Sequence, residues 1–391
     1  MKHALLRSAA CVALLLPVAA AAQTRSSTKS ADVYVQGGYS TRTGSGSALS
    51  GGSGYLQAGI LPRIVLSGPR TTLSADGEVQ LYQYFRFNRR DVNYRANASV
   101  ANQFSQNTSG TLDLRFSDRE LDRFTQFVPG TGISYVDPAL LGTRTRTRSY
   151  GAMAGISTIL SPRSSLNASG GWTGSRYGAS STGFGLSNFD TFTGSVGYNR
   201  QLSARATIGV QANYQRSTYT SSLFPNSTSY GGAAVFKLRL DPLWTLDATA
   251  GAMLRDLGSA APKDVFFTGT ASLCRQGSRS SLCFNASRSV GNSGAAGSDV
   301  NLLAAVYYVL KTGLRNSVTL NVEYARSTRA TVATNLGKRE FATGTLGYNR
   351  QITERLGLTT SAYFRKGTGP YALGEDFGGQ LGLKYRVGDL P

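Results

Sequence analysis

Apolar and polar residues alternate along most of this chain with a period of two. Ile208, Val210, Ala212 and Tyr214 interleave with Thr207, Gly209, Gln211 and Asn213, and Val318, Leu320, Val322 and Tyr324 with Thr319, Asn321 and Glu323. Leu112, Leu114 and Phe116 bracket Asp113 and Arg115, just as Phe236, Leu238 and Leu240 bracket Lys237 and Arg239. Successive side chains of a β-strand point to opposite faces, so each run predicts a strand with one apolar and one polar face. No stretch after residue 22 reads as a membrane-spanning or amphipathic helix.

The runs end alternately in a short turn and in a longer Gly/Ser/Thr/Asn-rich connection. Eight short turns stand out, at residues 67–70, 106–109, 161–164, 203–204, 241–243, 277–279, 314–316 and 353–354. The longer connections include Leu121 to Thr143, Ser180 to Ser187, Ser221 to Asn226, Gly258 to Asp264, Gly291 to Ser298 and Gly367 to Gly374. Strands paired across eight turns, plus flanking runs at Asp32 to Thr43 and Asp376 to Val387, predict about 18 strands (16–18). The expected fold is therefore all-β: one transmembrane antiparallel up-and-down β-barrel over residues 23–391, with short periplasmic turns and longer extracellular loops. A soluble sandwich also alternates, but its turns are compact at both ends and its domains repeat at about 100 residues.

One hairpin occurs twice, as Thr193-Gly194-Ser195-Val196-Gly197-Tyr198-Asn199-Arg200-Gln201-Leu202 and Thr343-Gly344-Thr345-Leu346-Gly347-Tyr348-Asn349-Arg350-Gln351-Ile352. Tyr198 and Tyr348 fall on the apolar parity just before short turns, where a ring with a polar tip suits the periplasmic girdle. At this Gly-Tyr-Asn-Arg-Gln-Leu/Ile-x-x-Arg hairpin the chain resembles outer-membrane β-barrel porins, including those found with exopolysaccharide secretion genes. The resemblance covers nearly the whole mature chain in architecture and implies a role in outer-membrane passage, with an anionic polysaccharide among the solutes. The chain departs from many such barrels in closing on Pro391 without a terminal aromatic, which bears on assembly signalling rather than on fold.

The first residues indicate the compartment. Lys2 and Arg7, the apolar stretch from Ala9 to Val18 and the small residues Ala20, Ala21 and Ala22 predict a cleaved signal peptide over residues 1–22. Its removal takes His3, the only histidine, so the mature chain cannot host a Ser-His triad or a histidine zinc site. No P-loop, G-x-S-x-G elbow or metal-ligand spacing is present, and the sequence predicts no enzyme, cofactor or metal site.

Charge then narrows the partners. Lys and Arg number 41 against 21 Asp and Glu, a formal net charge of +20. With an export signal, this balance points away from nucleic acid and toward lipopolysaccharide, an acidic polysaccharide or small anions. The polar parity places Arg95, Asp113, Arg115, Lys237, Arg239, Asp247, Arg255, Glu323, Arg365, Lys384 and Arg386 toward a lumen. Their cationic excess favours anion passage through an open pore. A ladder of mutual salt bridges would instead close the lumen, leaving a structural or adhesive barrel whose loops bind partners.

Two further groups are singled out. Cys274 and Cys283 flank the turn at residues 277–279 symmetrically, on lumen parity, and are expected to form a disulfide that pins the hairpin register. Arg144, Arg146 and Arg148 alternate with threonines on the outward parity, where they could hold lipid A phosphates. A bulge would turn them to the pore mouth, and a solvated rim is the third reading. A homo-oligomer is left open, since nothing fixes an interface.

Overall fold

A computed structural model describes residues 26–41, 51–86, 88–120, 146–178, 186–221, 224–260, 262–293, 297–329, 339–368 and 374–389. Residues 1–22, the expected signal peptide, lie outside these, as does Arg144. Eighteen strands follow one another: β1 Ser26–Ser40, β2 Ser53–Ser67, β3 Thr71–Tyr84, β4 Arg89–Gln103, β5 Thr108–Glu120, β6 Arg146–Ser161, β7 Ser164–Tyr177, β8 Phe189–Gln201 and β9 Ala206–Tyr219. The second half comprises β10 Ser227–Arg239, β11 Trp244–Asp256, β12 Asp264–Gln276, β13 Ser280–Ser293, β14 Gly297–Lys311, β15 Asn316–Arg329, β16 Arg339–Gln351, β17 Leu356–Thr368 and β18 Gly374–Gly388. Each pairs antiparallel with its sequence neighbours, and β1 pairs with β18 from Ser30 opposite Gly388 to Ser40 opposite Gly378. Closure leaves no sheet edge, which is what allows a sheet to stand in hydrocarbon with its backbone satisfied.

The alternation resolves into two walls. The outward wall exposes large apolar side chains all round, among them Val35, Leu81, Val196, Val210, Phe267 and Leu381. Such a continuous apolar surface has no counterpart in a soluble monomer and matches acyl chains as its solvent. The barrel is a transmembrane one, in the bacterial outer membrane. Tyr198 and Tyr348 both lie on this outward wall beside the short turns, and their hydroxyls donate to Ser164 Oγ at 3.1 Å and Asn316 Oδ1 at 3.4 Å.

All eight short turns lie at one end. The two copies of the repeated hairpin, β8–β9 and β16–β17, are built alike. Ser203 Oγ accepts from the amides of Arg205 and Ala206, and Thr353 Oγ1 from those of Arg355 and Leu356. A side-chain oxygen that takes two turn amides is the reason Ser or Thr opens each turn.

Three boundaries differ from the sequence pattern. β1 begins at Ser26, not Asp32, because Ser26 to Ser30 pair with β2 below the apolar band and so carry no alternation. The stretch from Gly291 to Ser298 is largely strand, with Ser293 opposite Gly297; its Gly/Ser/Asn composition hid this. The connection between β3 and β4 is also short, closing at Asn88 with φ 43°, a left-handed conformation that asparagine tolerates.

Candidate functional site

The barrel interior is where the polar faces converge. The register puts Arg95, Asp113, Arg115, Lys237, Arg239, Asp247, Arg255, Glu323, Arg365, Lys384 and Arg386 on the parity opposite the exposed apolar wall. They do not form one group. Several are joined to interior acids that the alternation alone did not single out, and others stand exposed without an ion pair among the described residues.

At the seam, Asp32 of β1 takes Lys384 Nζ at 2.7 Å and Arg386 Nε at 2.8 Å, both from β18. Arg95 lies 3.4 Å from Glu78, which also accepts from the Tyr34 hydroxyl at 3.2 Å. Arg365 is directly opposite Asp376 and lies over the Tyr363 ring, 4.4 Å from its centroid. Ser40 donates to the same Asp376 at 2.8 Å.

Arg255 is the most enclosed charge, with 0% of its surface exposed. Its guanidinium donates to Asp264 Oδ2 and to the Ser298 carbonyl, both at 3.2 Å, and sits 4.5 Å from the Phe266 ring centroid. Nearby, Asp299 accepts from Ser327 and, at 3.2 Å, from Asn301 Nδ2. A buried guanidinium needs such acids and carbonyls, since an unpaired one would lose several kcal/mol of solvation.

Arg255 and Arg365 sit among buried aromatics in the extracellular half, whereas the Asp32 seam lies toward the short turns. Tyr55, Tyr82, Tyr84 and Tyr363 form one interior cluster; Phe189, Tyr219 and Phe224 form another, with Tyr177 against it. Tyr55 lies over Gly38 and Tyr363 over Gly378, positions where any Cβ would collide with the ring. Glycine there lets the rings lie flat on the inner wall.

The periplasmic half differs. Arg115, Lys237, Arg239 and Asp247 are exposed, and Lys237 is directly opposite Asp247 without an ion pair. Arg63 on β2 and Lys311 on β14 share the inward parity and are exposed too. Sequence reasoning missed Arg63 because Leu61 and Val65 make both faces of β2 look apolar. It missed Asp32, Glu78, Asp264, Asp299 and Asp376 because each sits near a strand end or beside larger signals. Cys274 and Cys283 are directly paired on the inner wall and joined as a disulfide, with Cα atoms 4.1 Å apart.

Arg146 and Arg148 lie on the outward parity, as expected of them. Both reach Asp118 of β5, Arg146 Nε at 2.6 Å and Arg148 at 2.8 Å. On the outer rim, Lys263 lies 3.0 Å from Asp256, whose carboxylate holds the amine above its usual value. Among the described residues no group of His, Cys, Asp and Glu could hold a metal ion.

Against solved structures, the chain aligns over 94% of its length with Pseudomonas aeruginosa OccK2 (OpdF), crystallised with glucuronate, covering 99% of that chain at 10% identity and a TM-score of 0.51. The fold is that of an outer-membrane porin barrel. A BenF-like porin from Pseudomonas fluorescens aligns over 94% of this chain and 100% of its own at 10% identity, TM-score 0.47. The siderophore receptor PirA from Pseudomonas aeruginosa aligns over 92% and 80% at 10% identity, TM-score 0.46. In sequence the chain matches no family model and no curated protein. At these identities the likeness speaks for the fold alone.

Proposed function

We propose that the barrel is a non-enzymatic outer-membrane channel for polar solutes, with a preference for anions that begins at its periplasmic mouth. One observation carries this reading. The inner wall of the half with the short turns presents Arg63, Arg115, Lys237, Arg239, Lys311, Lys384 and Arg386 against Asp32, Asp76, Asp113 and Asp247, so cations stay in excess, whereas Arg95, Arg255 and Arg365 farther in each face an acid. A mouth with one sign of charge in excess raises the local concentration of the opposite ion before any constriction is met. Fixed cations select the sign of the permeating solute and leave its direction to the gradient, and an acidic polysaccharide is the largest member of the class. Glucuronate, present in the structure of OccK2, is a suitable small test permeant.

The test is single-channel recording of the folded barrel in planar bilayers under a salt gradient. The expected result is discrete conductance with a reversal potential of anion-selective sign, and current when glucuronate is the only anion. Folded protein that never conducts would overturn the proposal.

A second reading rests on the aromatic clusters of the extracellular half. Buried rings such as Tyr55, Tyr84, Phe189 and Tyr219 favour a barrel closed at that end, with a structural or adhesive role for its outer surface. The same recordings separate the two readings.

A further inference from the structure

The outer wall of β5 to β9 carries a charge cluster that a channel does not require. It lies at the end of the wall away from the short turns. Asp118 is shared by Arg146 and Arg148, whose side chains remain 45% and 53% exposed. Arg148 is directly opposite Arg176 on β7, and Arg176 holds both oxygens of Asp190 at 2.9 Å. Arg216 of β9, on the same outward parity, is exposed and has no ion-pair partner among the described residues. Glu120 stands opposite Arg146 in the register, so four arginines meet three acids, and the cluster stays net positive, on a wall that otherwise faces lipid.

Directly below lies an aromatic step. Tyr150 and Trp172 are in contact at 5.2 Å between ring centroids, and Phe192 and Tyr214 are exposed beside them. Lower still, the wall recedes into a groove of about 800 Å³, lined by Leu112, Ile156, Ala168, Gly170, Gly194 and Val196 among others. From Arg148 to Ala154 the strand covers roughly 20 Å at ~3.4 Å per residue. Cations, aromatic rings and an apolar recess therefore follow one another from headgroup level into the hydrocarbon.

We infer that this wall binds a phosphorylated, multiply acylated glycolipid of the outer leaflet, of the lipid A class. Its phosphates lie against Arg146, Arg148, Arg176 and Arg216, and one acyl chain fills the groove. Four exposed or half-exposed guanidinium groups at one level suit a lipid with more than one phosphate, and N–H groups not taken by the aspartates are placed to donate to its oxygens. A second copy of the chain fits less well. In a twofold contact it would set the arginines against their own kind, at a cost that grows in low dielectric.

The test uses the full barrel, delipidated in detergent, and native mass spectrometry. Its probes are bisphosphorylated lipid A, the same lipid dephosphorylated, phosphatidylglycerol and inorganic phosphate. Bisphosphorylated lipid A is expected to bind at least tenfold more tightly than the other three. Arg148→Gln with Arg216→Gln is expected to remove that advantage. Gly194→Leu should weaken lipid A binding while leaving inorganic phosphate unchanged. Its Cβ would come no nearer than 4.0 Å to the Ser169 carbonyl, so the leucine enters the groove without strain.

Equal binding of phosphatidylglycerol would make the wall a general anionic-lipid surface and overturn the assignment. So would equal binding of inorganic phosphate, or variants that break up an oligomer without changing lipid affinity. Heat-modifiable migration and conductance serve as folding controls. Should the double arginine variant fail to fold, the dephosphorylated lipid and Gly194→Leu decide the matter.

Discussion

Arg148 and Arg176 stand directly opposite each other on β6 and β7, two like charges side by side on the outward wall. Like charges in this relation destabilise a strand pair. What makes the pair tolerable is an acid on either flank, Asp118 at 2.8 Å from Arg148 and Asp190 at 2.9 Å from Arg176. Asp118→Asn is therefore expected to lower stability by about 1 kcal/mol, the upper range for partly exposed pairs. The measurement is the unfolding midpoint of the barrel in detergent. The loss should be clear at low ionic strength and shrink in high salt, where such charges are screened. A midpoint unchanged at low salt would count against this account.

Lys237→Glu combined with Arg239→Glu reverses two exposed cations on the inner wall of β10. The permeability ratio of chloride to potassium should fall about fivefold. That factor corresponds to ~1 kcal/mol, the interaction of two unit charges ~4 Å apart in water. Reversal potentials across a salt gradient report the ratio directly, and a ratio indifferent to the double change would remove these residues from the ion path.

Arg255→Leu strips Asp264 and the Ser298 carbonyl of their donor in a fully enclosed setting. Breaking one side of a buried pair costs about 3–5 kcal/mol. Because Asp264 keeps part of its carboxylate in solvent, the lower end of that range is expected. Denaturant titration of the folded barrel measures it. Arg255→Lys should recover little, since one ammonium cannot reach the acid and the carbonyl while lying against Phe266.

Titration of the denatured mature protein should find no free thiol before reduction and two afterwards. Cys274→Ser with Cys283→Ser should cost about 2–3 kcal/mol, as expected for a loop closed over a separation of 9 residues. Two thiols in the unreduced protein would show that the hairpin keeps its register through strand pairing alone.

The barrel was legible in the sequence because a period of two writes lipid and water onto alternate residues. Every strand that crosses the apolar band leaves that record, and the eight tight turns at one end separate the strands cleanly. The record fades where no lipid is present to write it. Ser26 to Ser30 and Gly291 to Ser298 lie at barrel ends and read as loops for that reason. Parity also told the interior cations from the outward ones, but not their partners. Asp32 and Lys384 are at opposite ends of the chain, and only closure brings them within 2.7 Å. Nor could alternation reveal that Asp118 sits outside with the arginines, since an acid on an apolar parity looks like an irregularity until its neighbours are known.

The ion pairs of Asp32 with Lys384 and Arg386 join the first strand to the last. A chain shortened at either end would lose one side of this junction and present two open sheet edges to the bilayer. The cluster thus acts as a clasp that can fasten only when both terminal strands have arrived, and it makes completion of the circle a test of the chain's own integrity.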